Sequence, residues 1–236
     1  MKRYHLGSSM TQAEQIAGWI YLPFYVFFLS LLLSWLFSVL GWSSGIRLNA
    51  VYFGLNLLLT LLIFHRFLWN SLCNLPRHFW SFLQALILGF VLYYAAMAVL
   101  GALYSWLFPG LVNPNNASVD SLASESFGFT VVFTVIIAPL VEETLMRGLV
   151  FGSVQRRSRV WAYICSILLF SFLHVWQYLG AVPAGTIVLA ALEYLPAGIA
   201  LGWTYEKAGN LWASILLHMA VNAVSLGLMH LPTVFG

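Results

Sequence analysis

Long apolar runs broken by short polar stretches organise this chain. Seven runs stand out, at roughly 16–40, 49–66, 80–108, 127–153, 160–180, 183–203 and 210–230. A bilayer core about 30 Å thick is crossed by about 20 helical residues rising about 1.5 Å each. The pattern therefore predicts an all-α, polytopic transmembrane helical bundle of about seven spans, with 1–236 as a single integral membrane domain. The longest polar break, "PGLVNPNNASVDSLASES" (109–126), reads as a surface loop rich in Asn, Ser and Pro. Its sequon, Asn116-Ala117-Ser118, reads as a chance occurrence, since it matters only in a eukaryotic secretory membrane. No repeat period, low-complexity tract or linker divides the chain.

Composition excludes a soluble domain: 61% of the 236 residues are hydrophobic and 7% charged, with mean hydropathy +0.89. A water-facing exterior has no use for that much apolar surface. Two cysteines, Cys73 and Cys165, make no disulfide framework and read as small buried hydrophobes. The net charge of +3 comes from scattered basic residues, so no nucleic-acid partner is implied. The scatter reads instead as topology. Lys2, Arg3, Arg66, Arg77, Arg156, Arg157, Arg159 and Lys207 fall in alternate breaks, and only Arg47 falls in the others. The positive-inside rule then places the N-terminus in the cytoplasm and the C-terminus outside. The first apolar run is too long for a cleavable signal. Trp42, Trp80, Trp161 and Tyr178 at span ends fit interfacial anchoring, and singly each is as well explained by packing. His5, His65, His78 and His230 read as interfacial or tail residues.

An ionisable group inside a span marks function by default, because stranding it in hydrocarbon is costly. "VEETLMRGLV" (141–150) carries Glu142, Glu143 and Arg147. Glu143 and Arg147 are four apart on a helix and can pair. Glu142 is turned about 100° away and is left available. Pro139 upstream removes a backbone donor and bends the helix or opens space beside the acids. A buried charge cluster that merely locks helices is an equal alternative on these residues alone. "FSFLH" (170–174) brings Phe170 and His174, and a lone histidine in an apolar helix is more often a packing residue. "HMAVN" (218–222) puts His218 and Asn222 on one face, where such a pair can simply hold a bundle together. Depth favours a shared cavity. Counting from the presumed cytoplasmic helix ends, Glu142, His174, His218 and Asn222 lie roughly 17, 21, 12 and 18 Å deep. A carboxylate and an imidazole can deprotonate a water, and an imidazole with an amide can hold an oxyanion. Glu142, His174 and His218 also make a plausible Zn²⁺ set, which spacing alone does not separate from metal-free chemistry.

"EETLMR", "FSFLH" and "HMAVN" resemble, in order and one per span, the EExxxR, FxxxH and HxxxN motifs of the CAAX protease and bacteriocin-processing family. These intramembrane proteases, also called the Abi family, include the Ras-converting CAAX prenyl proteases. "EKAGNLWASILLH" resembles the family's approach to its last motif, and the likeness covers a motif-bearing core at about 127–223. The resemblance implies a glutamic-type endopeptidase: Glu142 and His174 activate water, His218 and Asn222 stabilise the oxyanion, and Glu143, Arg147 and Phe170 support them. It implies no cofactor in that version, with Zn²⁺ as the alternative. The substrate would be a membrane-associated protein or peptide. With its early end after the third motif the chain resembles a compact bacterial member, expected in a bacterial cytoplasmic membrane, and a prenylated CAAX substrate is put in doubt. Glu193 lies outside the three motifs; it is expected either to line the cavity or partner Arg147, or, the preferred reading, to face a wet crevice without catalytic duty. Gly198 and Gly202 have the spacing that lets helices approach. The rival readings are a transporter using the same groups as a proton relay, which lacks an internal repeat, and a non-catalytic immunity or interaction protein.

Overall fold

The computed structural model describes residues 10–42, 45–75 and 79–234, with side chains to 227. Lys2, Arg3, His5, Arg77, His78 and the side chain of His230 lie outside the described residues. Within them the chain is all-α, with eight helices: α1 Gln12–Val39, α2 Gly45–Asn74, α3 Phe79–Leu107, α4 Pro114–Glu125, α5 Phe127–Gln155, α6 Arg159–Tyr178, α7 Ala184–Ala208 and α8 Leu211–Val234. Six are long and apolar enough to cross a bilayer. The seventh expected span lies in α8, where the described apolar stretch is Leu211–Gly227. Outward faces are apolar, with Trp80 73% and Trp106 77% exposed. A helix satisfies its own backbone, so such faces are stable against lipid and not against water.

The expected loop at 109–126 is a correction, because most of it forms α4. Asn113 caps that helix by accepting the Asn115 amide at 3.0 Å, and Pro114 supplies a preset φ in the first turn. The span expected at 49–66 also runs on to Asn74, through a kink at Phe64 (φ −108°, ψ 16°). This extension puts His65 inside α2, exposed on its surface, where its ring bonds the Leu62 carbonyl. Cys73 is exposed on α2 and Cys165 partly buried, both as free thiols, so the reading of two buried cysteines fails for Cys73. An apolar thiol sits as well against lipid as in a core.

α5 is the centre of the bundle. Its most apolar window is 56% buried, against 11% for α2 and for α3. The second half of α7, after a break at Tyr194 before Pro196, packs against α3, α6 and α8. Gly198 and Gly202 allow that closeness as expected: a Cβ on them would meet Ile167 at 3.1 Å and Tyr163 at 3.2 Å. Polar clasps add specificity at the helix ends. Arg159 and Tyr163 of α6 donate to the Glu206 carboxylate of α7 at 2.7–2.8 Å. The π-helical segments are more informative. They occupy Phe24–Phe28 just after Pro23, Val132–Ile137 just before Pro139, and Thr144–Phe151. Such segments frequently mark functional sites, because they re-aim side chains and free backbone groups.

Candidate active site

Two adjacent acids on α5 are sent to opposite fates. Glu143 is fully buried, and its Oε1 accepts from Arg147 Nη1 at 2.8 Å and from His218 Nδ1 at 2.9 Å. Arg147, also fully buried, donates through Nη2 to the Gly198 carbonyl at 3.3 Å and lies 4.6 Å above the Phe170 ring. The expected pairing of Glu143 with Arg147 is therefore present. It also recruits α8 through His218 and α7 through Gly198. A carboxylate only accepts, so the His218 Nδ1 carries the proton, and its Nε2 is turned away from Glu143.

Glu142, on the other side, is 7% exposed and loosely held. Its Oε1 is approached by the Tyr25 hydroxyl at 3.5 Å, and its Oε2 has no protein hydrogen-bond partner. That Oε2 faces His174 Nε2 at 3.9 Å. This gap is too long for a direct bond, and one that a single water placed to the side can bridge. His174 Nδ1 lies 2.8 Å from the Phe170 carbonyl, one turn back on α6. A carbonyl cannot donate, so the proton is on Nδ1 and the Nε2 lone pair points at Glu142. The ring is gripped on both sides, by Tyr194 stacked at 4.2 Å and 25° and by Phe170 at 4.6 Å.

Asn222 is placed by a proline. In the π segment of α5, the amide of Ala138 reaches back five residues to Phe133. The next bond in that register would run from Pro139 to Thr134, and proline has no N–H to make it. Asn222 Nδ2 takes the freed Thr134 carbonyl instead, at 2.8 Å. One amide proton is spent there, and the other remains for a ligand.

Glu142, His174, His218, Asn222 and Phe170 all line one cavity of about 290 Å³. A second cavity of about 350 Å³, on the side of Tyr25 and Tyr52, shares Glu142 and His174 with it. The two chambers thus meet at that acid–imidazole pair. Helix α4 borders both, with Asn115 and Val119 common to their walls. Glu193 also lines the first chamber, where its Oε2 accepts from Asn113 at 2.7 Å; it does not reach Arg147.

Tyr25, Tyr52, Tyr194 and the asparagines of α4 were not legible as site residues. The one available signal was proline, since Pro23 and Pro196 interrupt spans within two residues of Tyr25 and Tyr194. Among the described residues no three His, Cys, Asp or Glu side chains, Glu142, His174 and His218 included, lie together as a metal-binding group.

Comparison with known proteins agrees with these motifs. A 90-residue stretch is 33% identical to the UPF0177 protein YxdF of Lactococcus lactis subsp. lactis (strain IL1403), over 37% of this chain and 42% of that protein. The match thus spans less than half of that relative. No solved structure matches the chain. The family model described as Type II CAAX prenyl endopeptidase Rce1-like matches residues 124–224, the stretch that holds all three motifs. Residues 124–224 are therefore an Rce1-like domain of the type II CAAX prenyl endopeptidase family.

Proposed function

We propose that this protein is a glutamic-type intramembrane endopeptidase that cleaves a peptide bond of a membrane-associated protein or peptide. The observation that carries the reading is the unpartnered Glu142 Oε2, held opposite the His174 Nε2 lone pair where two chambers meet. A water bonded to both groups loses a proton to one of them as its oxygen attacks the scissile carbonyl carbon. The carbonyl π pair moves onto oxygen, and the oxyanion takes hydrogen bonds from His218 and from the second amide proton of Asn222. His218 serves this role only with Nε2 protonated as well as Nδ1, and Glu143 is the group that supports that imidazolium. Collapse of the intermediate breaks the C–N bond, and the proton taken from water passes to the departing amine.

The second chamber, walled by Leu33, Phe133, Leu173 and Trp176, suits the apolar part of such a substrate. The whole chain serves as one integral membrane domain, and the arginine distribution supports a bacterial cytoplasmic membrane with the N-terminus inside. A silent scaffold has no use for a spare carboxylate oxygen facing an imidazole lone pair beside donors for an oxyanion.

The test is cleavage of membrane proteins by the purified chain in proteoliposomes, with products identified by mass spectrometry. Glu142→Gln and His174→Ala each lower the rate by about 10²- to 10⁴-fold while the protein still inserts and melts as the wild type does. Cleavage that persists in both variants would overturn the assignment. Activity survives exhaustive chelation; loss on chelation and recovery with zinc would replace the metal-free version with a metalloprotease.

A further inference from the structure

The first chamber carries a charge that the reaction does not use. Glu193 lies at the break in the middle of α7, half-buried, with its carboxylate in the chamber wall. Asn113 satisfies Oε2 at 2.7 Å, and among the described residues Glu193 makes no ion pair. No Lys or Arg lines either chamber. Arg147, the basic residue nearest in role, is committed to Glu143, Gly198 and the Phe170 face. Glu142 and Glu193 thus both place carboxyl groups on this chamber wall, with no Lys or Arg beside them, in a protein where charged residues are only 7% of the chain. A carboxylate kept in such surroundings without a cation from its own chain calls for one from outside.

The neighbouring groups fit the same guest. Asn115 gives its Nδ2 to the Tyr194 hydroxyl at 3.0 Å, which leaves its carbonyl oxygen as an acceptor at the chamber wall. Tyr194 in turn stacks on His174 at 4.2 Å. Glu193 is the residue next to that ring. Glu193 lines the same chamber as Glu142 and His174, so a side chain near the scissile bond of an extended peptide, which advances about 3.4 Å per residue, can meet its carboxylate.

We infer that Glu193, with Asn115 beside it, forms a specificity subsite for a basic side chain of the substrate close to the cleaved bond. The inference rests on the protease reading for its setting. It assigns the chamber to a cationic peptide, and it disfavours any substrate that would place a free carboxylate there.

Equilibrium binding and cleavage are measured on the same samples of full-length protein in detergent micelles. The probes are fluorescent, quenched apolar peptides carrying a single Lys, Met or Glu at each position in turn. The wild type binds the Lys peptide about tenfold tighter than the Met peptide at one position, and the Glu peptide most weakly. Glu193→Gln abolishes the Lys preference, weakening the Lys peptide far more than the Met peptide. Glu193→Asp keeps the preference, and Glu193→Arg inverts it towards Glu. Asn113→Ala, which removes the bond to Oε2 but not the charge, also keeps it. Absence of a Lys preference in the wild type, or equal loss for Lys and Met peptides in Glu193→Gln, overturns the subsite. Binding preference without cleavage of any probe leaves the subsite standing and counts against the protease reading. Cleavage indifferent to Glu193 does the reverse.

Discussion

Glu142 and Glu143 are neighbours on one helix and both buried, yet the bundle treats them differently. Glu143 is gripped by two short hydrogen bonds from two helices. Glu142 has one long contact; each acid keeps an Oε2 with no protein partner, but Glu142 lines both chambers and Glu143 neither. A buried charge that is paired and hydrogen-bonded fixes geometry. A buried charge at a chamber wall, with spare acceptor capacity, is poised to act on whatever enters. The contrast separates the part of the site that holds its shape from the part exposed to a ligand. It also places the candidate base, His174, on the loose side and the candidate oxyanion donor, His218, on the tight one.

The sharpest way to break that comparison is to remove the charge from each acid in turn. Glu142→Gln costs the activity described above and leaves the melting temperature unchanged. Glu143→Gln strands Arg147 in a fully buried position and destabilises the fold by about 3–5 kcal/mol, read as early unfolding in detergent. Equal losses of stability in the two variants would erase the distinction. A smaller effect is expected from the proline that frees the Thr134 carbonyl. Asn222→Ala lowers kcat about a hundredfold. Pro139→Ala lowers it in the same direction but less, because the restored amide competes with Asn222 for that carbonyl. An unchanged kcat in Pro139→Ala would show that the carbonyl does not position Asn222. The smallest effect concerns the stacked ring. Tyr194→Leu removes a contact with His174 worth about 0.5–1.5 kcal/mol and slows turnover a few-fold, whereas Tyr194→Phe keeps the stack and stays near the wild-type rate.

Much of the molecule was readable without coordinates. Apolar runs of the right length gave the helices, because a bilayer demands self-satisfied backbone over a fixed thickness. The spacing of Glu143 and Arg147 gave their pairing, since four residues bring two side chains to one helix face. Polar residues inside apolar spans named the candidate site. The loop expected at 109–126 failed because its polar composition hid a capped helix that owes its place to Asn113, Asn115 and Ser118 meeting Glu193, Tyr194 and Tyr178. Of the readings open for Glu193, a wet crevice was preferred, and the structure has it line the same cavity as Glu142.

The order of residues along the chain thus determined which helices form and which of their groups are costly to bury, because both depend on local spacing and transfer free energy. Only the tertiary structure decided which acid is held by short bonds and which lines the chambers. That choice depends on partners supplied by other helices: His218 from α8, Gly198 from α7, Tyr25 from α1. Residues 117 positions apart, such as Tyr25 and Glu142, leave no periodic trace in a sequence. Their meeting is set by helix packing, and so is the division between framework and reactive group.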